Sequence, residues 1–169
     1  MLGSEQSDGL PLLKEEDAMS VFDESREMLV KHMNSALQRV TDALDAQEAL
    51  SCIPGSYADR DDWDGLDEGT QDLLKDLGIE PDEEGDWDHT EAAFRVREDL
   101  DSLDVTWEKG EPFDVALTLG GPNIYLVDMG GHGGAQLVGY WSVKHVITGP
   151  DVTRAVDYYR EEMSEIYGD

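Results

Sequence analysis

Apolar side chains in the first third of the chain recur at intervals of three, four or seven residues. No glycine or proline interrupts the chain between Pro11 and Pro54. Because such spacing places side chains along one face of a helix, we predict a long helix over residues 12–50. Its apolar stripe consists of Met19, Phe22, Leu29, Met33, Leu37, Val40 and Leu44. We expect this stripe to pack within the same domain, and the alternative is a homodimer through this helix.

Two shorter helices are predicted further along, over residues 70–77 and 90–103, with Thr90 as the N-cap of the second. The segments that precede them, 57–68 and 80–89, are dominated by acidic side chains and are predicted to be loops or short turns. The N-terminal part of the chain is therefore expected to be helical. The expected buried side of the second helix consists of Ala93, Phe94, Val96, Leu100 and Leu103.

Beyond residue 104 the apolar pattern changes to the alternation that is typical of β-strands. Strands are predicted over 105–107, 113–119, 123–129, 135–142 and 143–147, and a last helix over 150–167. The glycine-rich turns at 120–122 and 130–134 are too short for the crossovers that parallel strands need. The strands should therefore form an antiparallel meander.

These elements predict an α+β fold, in which N-terminal helices are followed by a small antiparallel β-meander with a C-terminal helix packed on it. We expect residues 1–10 to be a flexible leader, 11–104 an acidic helical region, and 105–169 the sheet with its helix. With 169 residues, the chain is long enough to bury a core, and we expect one compact unit.

The four tryptophans divide between the two regions. Trp63 and Trp87 lie inside the acidic segments, whereas Trp107 and Trp141 fall among the predicted strands and should belong to the core. An aromatic ring in a fully solvated loop would expose apolar area without compensation. We therefore expect Trp63 and Trp87 to pin the acidic segments to the protein body, and contact with a partner is the alternative.

The chain carries 40 acidic and 12 basic side chains, a formal net charge of −28. Residues 56–104 hold 19 of the acidic and four of the basic side chains, so less than a third of the chain carries more than half of the net charge. Adaptation to salt should spread acid over the whole surface, so this clustering favours a binding function. A salt-adapted (halophilic) binding protein remains the alternative, because Asp outnumbers Glu by 23 to 17.

Charge and cysteine content exclude several classes of function. Phosphates of nucleic acids and anionic membrane surfaces repel a protein this acidic, so we expect neither direct nucleic-acid binding nor membrane binding. No apolar run approaches the length of a membrane span and no signal peptide is recognisable, so a cytoplasmic location is predicted. The single cysteine, Cys52, excludes an internal disulfide and a multi-thiolate zinc site, and we interpret it as a small apolar residue near a helix end.

Basic surfaces of other proteins are the partners that this charge favours. Two tracks of carboxylates could occupy a groove that another protein uses for nucleic acid, where they would pair with its Arg and Lys side chains. The first track is Asp59, Asp61, Asp62, Asp64, Asp67 and Glu68; the second is Asp82, Glu83, Glu84, Asp86 and Asp88; and the helix between them adds Asp72 and Asp76.

Residues 80–91 also resemble the 12-residue calcium loop of an EF-hand. Gly85 occupies the position of the turn glycine and Glu91 the position of the last ligand. Glu80 departs from the usual Asp at the first position, and Pro81 stiffens the entry. A calcium-binding module built on Glu80–Glu91 is therefore a further alternative, although we expect neither a metal site nor another cofactor.

No constellation of catalytic residues can be assembled from the sequence, so we expect a protein that is not an enzyme. Carboxylate pairs occur throughout the acidic segments, but a catalytic pair needs one dry and one solvated carboxylate. The glycine turns lack the Lys and Ser/Thr of a phosphate-binding loop. The histidines share no metal-ligand spacing; they are His32, His89, His132 and His145.

Small size, extreme acidity, the clustering of Asp and Glu between Tyr57 and Asp104, and the helix-and-meander layout resemble phage- or mobile-element-encoded DNA-mimic proteins of the anti-restriction and anti-CRISPR kind. The segment Leu117–Leu126 is also similar to a strand–turn–strand of uncharacterised mobile-element proteins, and the resemblance covers about a third of the chain. It implies an inhibitor that acts in the host cell cytoplasm on a CRISPR effector or a restriction enzyme. DNA mimics share electrostatics and no sequence motif, so no residue role follows from it.

Overall fold

The computed structural model of the chain describes residues 15–55, 57–101, 104–106, 113–130 and 134–167. The predicted leader at 1–10 lies outside these residues, as do Leu103, Trp107 and His132. The described helices are α1 (Glu15–Ser51), α2 (Arg60–Asp64), α3 (Glu68–Asp76), α4 (His89–Asp101) and α5 (Pro150–Tyr167). The described strands are β1 (Asp104–Thr106), β2 (Asp114–Thr118), β3 (Asn123–Asp128), β4 (Ala135–Trp141) and β5 (Val143–Ile147). The predicted α+β class is confirmed.

The five strands form one sheet in which spatial order follows chain order, β1-β2-β3-β4-β5, and every neighbouring pair is antiparallel. The predicted meander is therefore confirmed. Along β3, Ile124 and Leu126 are fully buried, whereas their neighbours Asn123, Tyr125 and Val127 are half-buried. This alternation defines an inner face of the sheet, which carries the core.

Helices α1 and α5 cover the inner face. Gly139 of β4 lies so close to α1 that a Cβ atom there would stand 2.6 Å from Met33 Sδ and 2.9 Å from Leu29 Cδ1. Tyr159 of α5 is 2% exposed, and its hydroxyl donates a hydrogen bond to the Leu100 carbonyl of α4 (3.1 Å). The three helices and the sheet thus share a single hydrophobic core.

Arginine side chains join the elements around this core. Arg39 of α1 donates two hydrogen bonds to Asp99 of α4, and this partner raises the pKa of the guanidinium further. Arg97 of α4 pairs with Glu162 of α5 at 2.9 Å. The remaining two links run from α5, where Arg154 pairs with Asp45 and Glu48 of α1, and Arg160 with Asp128 of β3.

The predicted apolar stripes are only partly buried. In α1 the stripe is buried at Leu29, where the helix packs against β4, whereas Phe22, about two turns earlier, is exposed. In α4 the buried row is Ala92, Val96 and Leu100 at a spacing of four residues. Phe94 was expected on that side, but it lies two residues after Ala92 and therefore on the opposite side of the helix, where it is 56% exposed.

Trp141 was wrongly expected in the core: it sits at the end of β4 against His32 of α1 and is exposed. The segment 57–68, predicted as a loop or short turn, contains the five-residue helix α2, because side chains within the segment cap it. Cys52, predicted near a helix end, lies just beyond the last residue of α1 and is exposed.

Candidate functional site: an acidic face

The two acidic segments are joined directly to each other. Ala58 and Trp87 form an isolated antiparallel β-bridge, in which each backbone N–H donates to the other residue's carbonyl at 3.0 Å. The indole Nε1–H of Trp87 adds a third hydrogen bond, to the carbonyl of Asp59 (2.9 Å). The sequence predicted two tracks of carboxylates connected by a helix, and the bridge also joins the two segments directly.

Alternation across this bridge sorts side chains into a buried and an exposed set. Ala58 and Trp87 point inward and are 3% and 4% exposed. The neighbouring side chains in both segments therefore point outward, and all of them are exposed. An aromatic ring thus lies among three carboxylates; the four outward residues are Tyr57, Asp59, Asp86 and Asp88.

Two buried indole rings hold the bridged segments to the core of the protein. Trp63 of α2 and Trp87 pack edge to face with their ring centroids 5.1 Å apart, and both are buried in the main core. Gly85 has a positive φ of 94°, and a Cβ atom there would meet the Arg60 side chain at 3.1 Å. The expectation that Trp63 and Trp87 pin the acidic segments to the protein body is confirmed.

Some of the carboxylates hold the backbone together. The Oδ1 atom of Asp59 accepts the N–H groups of Asp61 and Asp62, and the Asp62 carboxylate accepts the Asp59 N–H in return (3.1 Å). This reciprocal pair is a capping box for α2. Asp67 caps α3 by accepting both the N–H (3.0 Å) and the hydroxyl (2.7 Å) of Thr70.

The second segment uses its carboxylates in the same way. Asp82 accepts the N–H groups of Glu84 (2.9 Å) and Asp86 (3.0 Å) and so closes the turn on itself. Asp88 accepts the N–H groups at the second and third positions of α4, both at 2.9 Å. Asp88 is therefore the N-cap of α4, and the prediction of Thr90 in that role was wrong. A carboxylate is also favoured there because the helix dipole places positive charge at that end.

Replacing Asp67 by Ala should cost about 1 kcal/mol of folding free energy, because the cap of α3 is lost. The hydrogen bonds from Thr70, led by its hydroxyl, hold the pKa of the Asp67 carboxyl below its usual value. A carboxylate with a lowered folded-state pKa stabilises the fold at neutral pH and loses that contribution as the pH falls below about 4. Urea unfolding of both proteins should therefore show a difference at pH 7 that shrinks toward pH 3.

Asp64→Ala is the matched control, since Asp64 is exposed and makes no hydrogen bond or ion pair within the described residues. Its effect should stay within about 0.5 kcal/mol at any pH. An Asp67→Ala protein that equals this control would show that the cap contributes nothing.

The thirteen carboxylates of the two segments and α3 form what we call the acidic face. Twelve of them are exposed, and Asp62 is half-buried. Five act within the fold as caps or turn closures, as described above. Asp72 pairs with Lys75 at 3.1 Å. The remaining seven have no hydrogen bond or ion pair within the described part of the chain; these free carboxylates are Asp61, Asp64, Glu68, Asp76, Glu83, Glu84 and Asp86.

The basic side chains of the protein leave this face largely uncompensated. The four arginines that link helices and sheet pair with acids that do not belong to it. Lys75 is the only described base that forms an ion pair with a member of the face. Along α3, Glu68, Asp72 and Asp76 recur at intervals of four residues, about 6 Å of helix axis each. The arrangement is a dense, solvated display of negative charge on a rigid support.

The EF-hand-like segment has a different geometry from a calcium loop. Asp82 and Asp88 accept backbone N–H groups, and Glu91 pairs with Arg95 of α4 at 2.8 Å. Within the described residues no group of three or more His, Cys, Asp or Glu side chains is placed to hold a metal ion. This geometry gives the calcium alternative no support.

The sequence did not identify an aromatic residue that adjoins the acidic face, Tyr57. It is 76% exposed, more than any other large apolar or aromatic side chain that the structure describes. The available signal was its position directly before the acidic run, next to residues that alternate inward and outward.

Comparison with known proteins adds no family to this description: no protein-family model matches the chain, and neither curated proteins nor solved structures give a match. Within the described residues, every helix is too short or too polar to cross a membrane.

Proposed function

We propose that this protein is a nucleic-acid mimic whose acidic face binds the basic nucleic-acid-binding surface of a host defence protein, a CRISPR effector or a restriction enzyme, and inhibits it. The observation that supports this most is the joining of two acidic segments into one face with seven free carboxylates. Free carboxylates can form charge-assisted hydrogen bonds with a partner's arginines without first giving up internal ones.

Tyr57 gives this face a means of specificity beyond charge. Interface residues that dominate binding energy are commonly aromatic, and a guanidinium can stack on a tyrosine ring while it pairs with a neighbouring carboxylate. Tyr57 is exposed on the outward side of the bridge, as are Asp59, Asp86 and Asp88. In the proposed complex, Tyr57 contacts an arginine that otherwise holds a phosphate.

The proposal predicts binding that duplex DNA displaces and salt weakens. Isothermal titration calorimetry would use a purified CRISPR nuclease with its guide RNA and a purified restriction enzyme, each with and without excess duplex DNA. We expect a complex with one of them, lost in the presence of DNA and weaker at raised salt. Binding that DNA leaves unchanged, or no binding to either class, would contradict the proposal.

A further inference from the structure

The outer face of the sheet, opposite the helices, is apolar and nearly free of charge. Val138 points to this side, because its neighbours Leu137 and Gly139 both face the core. Even so, it is only 5% exposed, and it does not belong to the main core. The pairing registers place three rows of residues on this outer sheet face: Thr106, Asp114, Val127 and Gln136; Asp104, Ala116, Tyr125, Val138 and Val146; and Asn123, Tyr140 and Lys144.

Aromatic and aliphatic groups form the centre of this face. The rings of Tyr125 and Tyr140 pack edge to face at 6.3 Å, and Lys144 Nζ lies 5.7 Å from the centre of the Tyr140 ring. Tyr140 is 45% and Val146 39% exposed. The described helices that contact the sheet, α1 and α5, lie on the other side. Sheets generally bury such a face against a second layer.

We propose that this layer is the same face of a second copy of the chain. Two proteins that each carry a net charge of −28 repel each other, so they can associate only where acid is sparse. Among the described residues of the outer sheet face, the charged ones are two acids, Asp104 and Asp114, and one base, Lys144. The face therefore carries a net charge of only −1, in contrast to the acidic face.

The positions of Asp114 and Lys144 suit a two-fold axis. Both lie at diagonal corners of the part of the sheet that β2–β5 form, separated by three strand spacings, about 14 Å, and by four residues along the strands, about 13 Å. A two-fold axis along the other diagonal would place Asp114 of each copy opposite Lys144 of the other, because a dimer interface of this symmetry is self-complementary. The strands of the two sheets would then cross near a right angle, which is one of the two common ways in which sheets pack.

Sedimentation equilibrium of the full chain tests this proposal over micromolar to millimolar concentration, at low and at high salt. We expect a monomer–dimer equilibrium that salt strengthens, since salt screens the repulsion between copies. Binding through the acidic face should respond to salt in the opposite sense, so the two proposals can fail separately. A chain that stays monomeric at every concentration and salt level would overturn the dimer.

Variants locate the interface. Val146→Glu should weaken the dimer by at least about tenfold, because it places unpaired charge in the contact. Phe22→Glu, at an apolar site on α1 that is more exposed (55% against 39% for Val146), should leave the dimer unchanged. Loss of the dimer in this variant instead would assign the interface to the α1 helix. If Val146→Glu unfolds the chain, the charge swap decides: Asp114→Lys and Lys144→Asp should each weaken the dimer, and the double variant should restore it. If the double variant instead loses as much dimer affinity as the two single variants together, Asp114 and Lys144 do not pair across the interface.

Discussion

A chain in which Asp61, Asp64, Glu83, Glu84 and Asp86 are replaced by their amides should bind the proposed partner about a hundredfold more weakly. If each exposed ion pair contributes about 0.5 kcal/mol, five of them contribute about 2.5 kcal/mol. All five are free carboxylates, so their replacement breaks no cap or turn of the fold. The same protein should be slightly more stable at low salt, because repulsion between like charges is reduced. Calorimetry with the partner and urea unfolding at low salt measure the two effects.

The matched control changes the total charge by the same amount at other sites. Asp23, Glu24, Glu27, Glu161 and Glu165 are exposed on α1 and α5 and form no ion pair within the described residues. Their amides should leave affinity within about twofold, as screening limits the reach of a distant charge to about 8 Å at physiological ionic strength. Equal losses in both variants would show that net charge alone, and no particular face, governs binding.

The second large effect is expected from Trp87→Ala, which should cost about 3–5 kcal/mol of folding free energy. The substitution removes a buried ring, its edge-to-face contact with Trp63 and the hydrogen bond to the Asp59 carbonyl. Because that hydrogen bond and the Ala58–Trp87 bridge join the two acidic segments, binding to the partner should weaken as well. Circular dichroism during urea unfolding gives the stability without relying on tryptophan fluorescence.

Two further variants separate the contributions at this site. Trp87→Phe keeps an aromatic ring but loses the N–H donor. Its free energy of unfolding should therefore lie between those of the wild type and of Trp87→Ala. Trp141→Ala removes a ring that is 38% exposed and should cost much less. If Trp87→Ala and Trp141→Ala were equally stable, the contacts of Trp87 that join the two acidic segments would contribute little to the stability of the fold.

The meander and the C-terminal helix could be predicted because local signals define them. Alternation and glycine turns gave β5 its bounds of Val143–Ile147, and the helical period gave α5 its bounds of Pro150–Tyr167. The prediction was weaker wherever burial depends on which element covers a helix. Phe94 fits an apolar period, yet α4 presents Ala92, Val96 and Leu100 to α1 and the core, and no local signal sets that rotation.

The acidic residues could be identified from the sequence, but it could not be predicted which of them cap helices or close turns and which are free. Asp61 and Asp62 are adjacent and chemically identical, yet only Asp62 accepts a backbone N–H, because it stands at the third position of α2. Asp62 has this role only because α2 is a helix. The sequence did not predict that helix, since an acidic segment around a single tryptophan, Trp63, is typical of a loop. The bridge between Ala58 and Trp87 spans 29 positions of the chain, so no local pattern could reveal it.

The division between capping and free carboxylates also bears on how the protein can change in evolution. A surface that acts through charge alone tolerates exchange of Asp for Glu and small shifts of position, so its free carboxylates can drift while binding is retained. The capping acids cannot drift in this way, because a cap depends on side-chain length and on its place before the helix. Divergent relatives would therefore retain a sparse signature among otherwise variable acids: Asp59, Asp62, Trp63, Asp67, Asp82, Gly85, Trp87 and Asp88.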